Sequence, residues 1–398
     1  MTDSAFIHSL WSLPDDVVYL NHGSFGPSPR VVQESRERWS RRLESQPMNF
    51  FMREMEAALE ESLATLAKFV GTSRGNLVFV ENATAGMNIV AQTFALNSDD
   101  EVLLTDHEYG AVTRLWRRRA RQTGARVVIQ EIPLPLCSAE ETAAAFFSAV
   151  TDRTKLIVIS HVTSPTALIL PVDEICRLAR ERGIPVCIDG PHAVAMLPLD
   201  LRRLDCDFYT ASCHKWLCAP FGSGFLYTSP RWQKKVEPAV ISWGGSVSGR
   251  QPSWKDEFVW SGTRDPAAYL AVADAIQFFE QPLSDEHEVS ALETFRSHAS
   301  ELLALARERI VAVTCLEPLA SQASHYGSML SFPLPIEDDL DPQQRHPIQD
   351  ALWDRYRIEI PIVHWQGRRS VRVSAHLYNT AAEIEHLAQA LTELLRAS

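Results

Sequence analysis

Seven short apolar runs, separated by stretches of helical period, constrain this chain more than any other feature. They are LVFV (77–80), EVLLT (101–105), RVVIQ (126–130), KLIVIS (155–160), IPVCID (184–189), DFYTA (207–211) and GFLYT (224–228). Runs this short and this rich in β-branched residues read as strands, and the helical stretches between them as crossovers. The predicted core is therefore a mainly parallel sheet with helices on both faces. Ligands of such sheets bind in the crevice beyond the carboxyl ends of the strands. Asn82-Ala83-Thr84, His107-Glu108-Tyr109, Ser164, Asp189 and Lys215 all follow an apolar run directly or nearly so, which predicts that the chemistry gathers at that edge.

The flanks have a different texture. Ser28-Pro29 predict the cap and first turn of an amphipathic helix reaching Glu44, and a second helix is predicted from Phe51 to Val70, stopped by Gly71. Beyond Trp260 the pattern changes to helices over 265–280 and 285–308, a strand RSVRVS (369–374) and a final helix from Thr380. The expected organisation is a segment 1–18 packed on a small domain, a large domain 19–264 and a small α+β domain 265–398.

Composition narrows the class of partner. The 38 basic residues against 50 acidic ones, a net charge of −12, offer no broad electrostatic footprint for nucleic acid or an anionic membrane. No apolar run approaches the roughly 18 residues of a membrane span, and MTDSAFIHSLWSLPDD lacks the basic and apolar regions of an export signal. Seven scattered cysteines show neither metal-ligand spacing nor a disulfide framework. A reduced, cytoplasmic protein without a metal site is expected, with Cys315 a buried thiol in a strand-like context.

Two segments carry the chemistry. Asp189-Gly-Pro-His192 ends one predicted buried strand, and Ser212-Cys-His214-Lys215 follows the next. Pyridoxal chemistry needs an amine to hold the cofactor aldehyde and a carboxylate that keeps the pyridine nitrogen protonated, so that the ring accepts electrons from Cα. Taken singly, the Asp is as readily a helix cap and the Lys a solvated charge. Their placement at the ends of successive strands favours the paired reading.

Blocks along nearly the whole chain then carry a resemblance: LNHGSFGPSPR (20–30), ENATAGMNIVA (81–91), DHEYGAV (106–112), SHVTSPTALILPV (160–172), DGPHA (189–193), DFYTASCHKWL (207–217), GTRD (262–265) and VRVSAHLYNT (371–380). On these the chain resembles the class V aminotransferase group of fold type I pyridoxal-phosphate enzymes, in its isopenicillin N epimerase-like branch. The resemblance implies an α/β fold with a mainly parallel seven-stranded sheet flanked by helices, a smaller α+β C-terminal domain, and a homodimer with shared active sites. It implies Lys215 as the Schiff-base lysine, Asp189 as partner of the pyridine nitrogen, His192 as donor to the phenolic oxygen and Tyr109 stacked on the ring. Ala83, Thr84, Ser212 and His214 would hold the phosphate, joined by Thr263 from the neighbouring subunit. Ser164 stands near the phenolic oxygen where relatives often carry Asn. Arg372 would bind the α-carboxylate of an amino-acid substrate, with Asn21 and His22 beside it, whereas Arg368 and Arg369 read as solvated charges or contacts to a substrate's tail.

These residues leave the outcome at Cα open between epimerisation, transamination and loss of a β-substituent. The stretch IEIPIVHWQGRRSVR (358–372) holds no cysteine, which removes the thiol that a desulfurase needs there. Epimerisation needs an acid or base on each face. Lys215 serves one, and Tyr109, His22 and His364 compete for the other. An amino-acid epimerase is expected, with an aminotransferase or a carbon–sulfur lyase as alternatives. A module that binds the cofactor without turnover is disfavoured by Arg372 standing beside Lys215 and Asp189.

Overall fold

The computed structural model describes residues 4–247, 249–284, 288–336, 340–341 and 344–396. After a two-residue β1 (Val18–Tyr19), the seven apolar runs form β2 (Leu77–Val80), β3 (Glu101–Thr105), β4 (Arg126–Gln130), β5 (Thr154–Ser160), β6 (Val186–Asp189), β7 (Phe208–Ser212) and β8 (Gly224–Thr228). They make one sheet in the order β2-β8-β7-β6-β5-β3-β4. Pairing is parallel from β4 through β3, β5 and β6 to β7, and β8 runs antiparallel to both β7 and β2. Leu156, Ile157, Val158 and Ile159 of β5 are each 0% exposed, as a strand covered on both faces requires. Burial of each such side chain contributes about 2 kcal/mol.

This topology puts the carboxyl ends of β2, β3, β5, β6 and β7 along one edge. The helix Ala83–Thr93 starts at that edge, directly after β2. Gly86 lets it lie close on β7, because a Cβ there would fall 2.1 Å from Thr210 Oγ1. A side chain at that position would lift the helix N-terminus off the sheet.

The second lobe is built on β9 (Met329–Pro333), β10 (Ile358–Glu359), β11 (Ile362–Trp365) and β12 (Arg368–Ser374). β11, β12 and β9 form an antiparallel sheet in that order, with the helix Ala291–Thr314 packed against Ala381–Arg396 beside it. β10 pairs in parallel with β1. Trp11, fully buried, meets His376 and Tyr378 edge-on, so the N-terminal segment is anchored against the C-terminal part of the chain.

Local expectations change in three places. The helix Arg30–Ser45 takes Pro29 as its N-cap and has no side-chain cap from Ser28. The helix expected to end near 308 runs Ala291–Thr314, because Ile310 and Thr314 extend its buried face. Cys315 is consequently no strand residue. It closes that helix in the left-handed region at φ 56° and is exposed. Among the described residues no helix is long and apolar enough to cross a membrane.

Candidate active site

A cavity of about 400 Å³ opens at the carboxyl edge of the large sheet, with strand ends for its floor and the second lobe for part of its rim. Lys215 lies in the turn after β7. Its Nζ is 3.0 Å from His192 Nε2, and Trp216 Nε1 donates to His192 Nδ1 at 3.3 Å. With Nδ1 accepting, the neutral imidazole carries its proton on Nε2 and donates it to the lysine, which accepts as a free amine. Electrostatics agree with a neutral imidazole beside a lysine that gives up its proton readily. Burial, reinforced by the Arg372 guanidinium, lowers the Lys215 pKa against the opposing pull of Asp189, and burial also drives His192 well below its ordinary value. A lysine that sheds its proton readily is a nucleophile for an aldehyde.

Asp189 ends β6, in register with Ser160 on one side and Thr210 on the other. Its carboxylate accepts no hydrogen bond among the described residues and borders the cavity. Burial raises its pKa, partly offset by Lys215. A cationic ring nitrogen would satisfy such a group.

At the start of the helix Ala83–Thr93, Asn82 caps by accepting from the Ala85 amide at 2.9 Å. The Ala83 amide is already committed to Ser212 Oγ at 3.0 Å, so the free backbone donor of this turn is that of Thr84, for which no backbone or side-chain acceptor is found among the described residues. His214 lines the same end. Burial lowers its pKa to about 4, and its buried Nδ1 has no partner. A helix N-terminus with an uncommitted amide and a neutral imidazole suits a phosphate.

The rim holds a cation, Arg372, with no carboxylate partner among the described residues. Arg372 is 4% exposed and bonds the Ser164 carbonyl at 2.6 Å, Ser164 Oγ at 3.2 Å and Ser24 Oγ at 2.7 Å, while its buried Nε has no partner. Burial lowers its pKa to about 10, with Tyr109 acting in the opposite sense. A buried guanidinium served by neutral acceptors alone is expensive and calls for an anion. Ser164 borders the cavity while both its oxygens accept from the guanidinium. Tyr109 borders the cavity just ahead of the helix Gly110–Thr123 and is 49% exposed.

Several expected residues stay outside the cavity. His22 is fully buried with its ring stacked on His376 at 4.1 Å. Its nitrogens face Tyr378 Oη at 2.8 Å and the Lys215 carbonyl at 3.2 Å, so it braces the lysine's backbone from below. Asn21 donates to Glu359 at 3.1 Å. From that loop it is Gly23, Ser24 and Phe25 that face the cavity. His364 pairs with Arg369 across β11 and β12 and does not border it. Arg369, read as a solvated charge or a contact to a substrate's tail, is 3% exposed and reaches the carbonyls of Asp341 and Gln344, both at 3.3 Å. Thr263 is exposed and lies outside the cavity of its own chain.

Ser24 and Glu108 were given no role by sequence. Glu108 is buried beneath the site, accepting from Thr105 Oγ1 at 2.7 Å, the Ser160 amide at 3.0 Å and Ser160 Oγ at 2.7 Å. Burial raises its pKa to about 7, with Asp189 adding to the effect. The available signal was an acid directly ahead of Tyr109 at the end of an apolar run. The groups assembled in the cavity, an amine, an open carboxylate, an imidazole donor, a helix N-terminus and a bare guanidinium, fit pyridoxal phosphate and an amino-acid carboxylate.

Known proteins are similar to this chain in sequence and in fold. Isopenicillin N epimerase of Streptomyces clavuligerus is 37% identical over 96% of both chains. A putative L-cysteine desulfhydrase of Oryza sativa is 29% identical over 95% of this chain and 83% of its own. Among solved structures, the apo cysteine desulfurase of Thermococcus onnurineus superposes with a TM-score of 0.81 at 21% identity, covering 100% of this chain and 99% of that one. The model of the family described as aminotransferase class-V matches residues 18–387, so the chain belongs to the class V aminotransferase family.

Proposed function

We propose that this protein is a pyridoxal-phosphate enzyme that inverts the configuration at Cα of an amino-acid substrate. The observation that carries the proposal is the meeting of Lys215, Asp189 and His192 on the floor of one cavity whose rim holds the uncompensated Arg372. Bound there, the cofactor supplies an electron-accepting ring that makes the α-hydrogen of an amino acid acidic. Lys215 holds the cofactor, Asp189 keeps the ring nitrogen protonated, and His192 donates to the phenolic oxygen. Thr84, Ser212 and His214 hold the phosphate, Ala83 lines its site with an amide that holds Ser212 in place, and Tyr109 covers the ring. Thr263 reaches the phosphate site of a second copy in a homodimer. Arg372 orients the substrate carboxylate through two parallel N–H bonds. In the same reading residues 19–264 are the cofactor domain, 265–398 the small domain, and 1–18 a segment packed upon it, in a cytoplasmic enzyme.

Inversion needs a proton taken on one side of Cα and returned on the other. Lys215 Nζ and Tyr109 Oη are the two groups for this, since His22 and His364 do not border the cavity. The epimerases of Streptomyces clavuligerus and Amycolatopsis lactamdurans, 37% and 36% identical, support this reaction. Cysteine desulfurase chemistry is disfavoured because no cysteine lines the cavity. The test is proton NMR of the holoenzyme with a panel of L-amino acids in D2O. Deuterium at Cα with growth of the D-isomer is the expected result. Pyruvate with a released thiol would make the enzyme a lyase, and a keto acid would make it an aminotransferase.

A further inference from the structure

Arg372 sits on β12, and the hairpin that β12 forms with β11 ends in the two-residue turn Gln366-Gly367. Both turn residues are left-handed, with φ 46° at Gln366 and 74° at Gly367. Such turns are ordinarily made by Asn-Gly or Asp-Gly, because a longer side chain is costly at positive φ. Contacts outside the hairpin hold this one in place. Gln366 Nε2 donates to Asp106 Oδ2 at 2.6 Å, Trp365 Nε1 donates to the Asp106 carbonyl at 3.1 Å, and the Trp365 indole stacks on His107 with centroids 4.4 Å apart. All three contacts land on the turn after β3 that presents Tyr109, and neither Trp365 nor Gln366 borders the cavity.

The contacts close a ring around the site. His107 Nδ1 lies 2.7 Å from Thr166 Oγ1, Thr166 is 2.7 Å from Thr163 Oγ1, and the next residue, Ser164, holds the Arg372 guanidinium. From Arg372 the path returns along β12 to the hairpin tip. The turn bearing Tyr109 is thus gripped by the lobe that carries the carboxylate anchor.

We propose that Trp365 and Gln366 are positioning residues that clamp the Tyr109 turn to the strand bearing Arg372, so that tyrosine and guanidinium keep one spacing across the cavity. The inference rests on the cofactor and carboxylate roles given above. It separates position from stability, because Gln366→Gly removes the tether to Asp106 and also relieves the backbone strain. The experiment uses full-length holoenzyme and three readouts. These are the melting temperature, the visible circular dichroism of the bound cofactor, and the affinity for 2-aminoisobutyrate, an amino acid without an α-hydrogen, followed by cofactor absorbance.

Gln366→Gly is expected to keep or raise the melting temperature, to change the visible circular dichroism, and to bind 2-aminoisobutyrate about fivefold more weakly. Trp365→Phe keeps a ring on His107 and loses only the bond to the Asp106 carbonyl, so about a twofold loss is expected. Unchanged dichroism and affinity in Gln366→Gly overturn the clamp, and so does a fall in melting temperature with unchanged binding. Absence of a cofactor band in the unaltered protein overturns the Lys215 assignment instead, which keeps the two failures apart.

Discussion

The floor and the rim of the cavity are built in opposite ways. Asp189 and Ser212 end the neighbouring strands β6 and β7, His192 and Lys215 follow within three residues, and the parallel pairing of those strands brings the four together. Arg372, Ser164, Ser24 and Tyr109 come from distant parts of the chain and meet where β12 crosses the end of the large sheet. The strands of the floor are buried on both faces. The rim is held by a few hydrogen bonds and one aromatic stack between lobes. Cofactor attachment is therefore expected to depend on the floor, and substrate handling on the rim.

The sharpest test of that division is Lys215→Ala. It is expected to abolish the cofactor's visible absorbance and to lower turnover by more than about a thousandfold, and a retained band would break the floor assignment. Arg372→Ala comes next, with a loss of about a hundredfold or more in kcat/KM while the absorbance spectrum is kept. Loss of the cofactor from that variant would erase the distinction between floor and rim. Tyr109→Phe is expected to slow appearance of the D-isomer by about a hundredfold, whereas exchange of the α-hydrogen with D2O through Lys215 persists. Equal loss of exchange and inversion would remove Tyr109 from the second face.

The last test concerns stability and Glu108, which is buried against Ser160. Its pKa is raised from 4.5 to about 7 when folded, so the folded apoenzyme keeps a proton that the unfolded chain releases. Stability from this group is full below pH 4.5 and is lost as pH rises through about 7. The cost at higher pH is about 3 kcal/mol at most. Glu108→Gln is expected to melt above the unaltered apoenzyme at pH 8, with the gap closing by pH 5. A gap independent of pH would show that Glu108 stays ionised between its three donors.

Much of the floor was legible because it depends on local pattern. Strand positions follow from short β-branched runs, and the edge that collects their polar ends follows from parallel pairing. Corrections fell where the decisive neighbour is far away in sequence. His22 looked available in its loop, but it stacks on His376 and bonds Tyr378. Arg369 looked solvated beside Arg368, but alternation along β12 turns it inward. Cys315 looked like a strand residue because nothing local marks where a long amphipathic helix stops.

From sequence alone came the class of sheet, the pairing of Lys215 with Asp189, the absence of a thiol ahead of Arg372, and the family expectation. Periodicity and residue chemistry act over a few residues, and those conclusions need no more. The tertiary structure decided which oxygen atoms serve Arg372, that Glu108 is buried against Ser160 with no ion-pair partner among the described residues, and that a strained Gln366 bonds the turn carrying Tyr109. Such features arise from how two lobes meet, and burial and hydrogen-bond partners across a lobe boundary depend on packing that no local window of sequence contains.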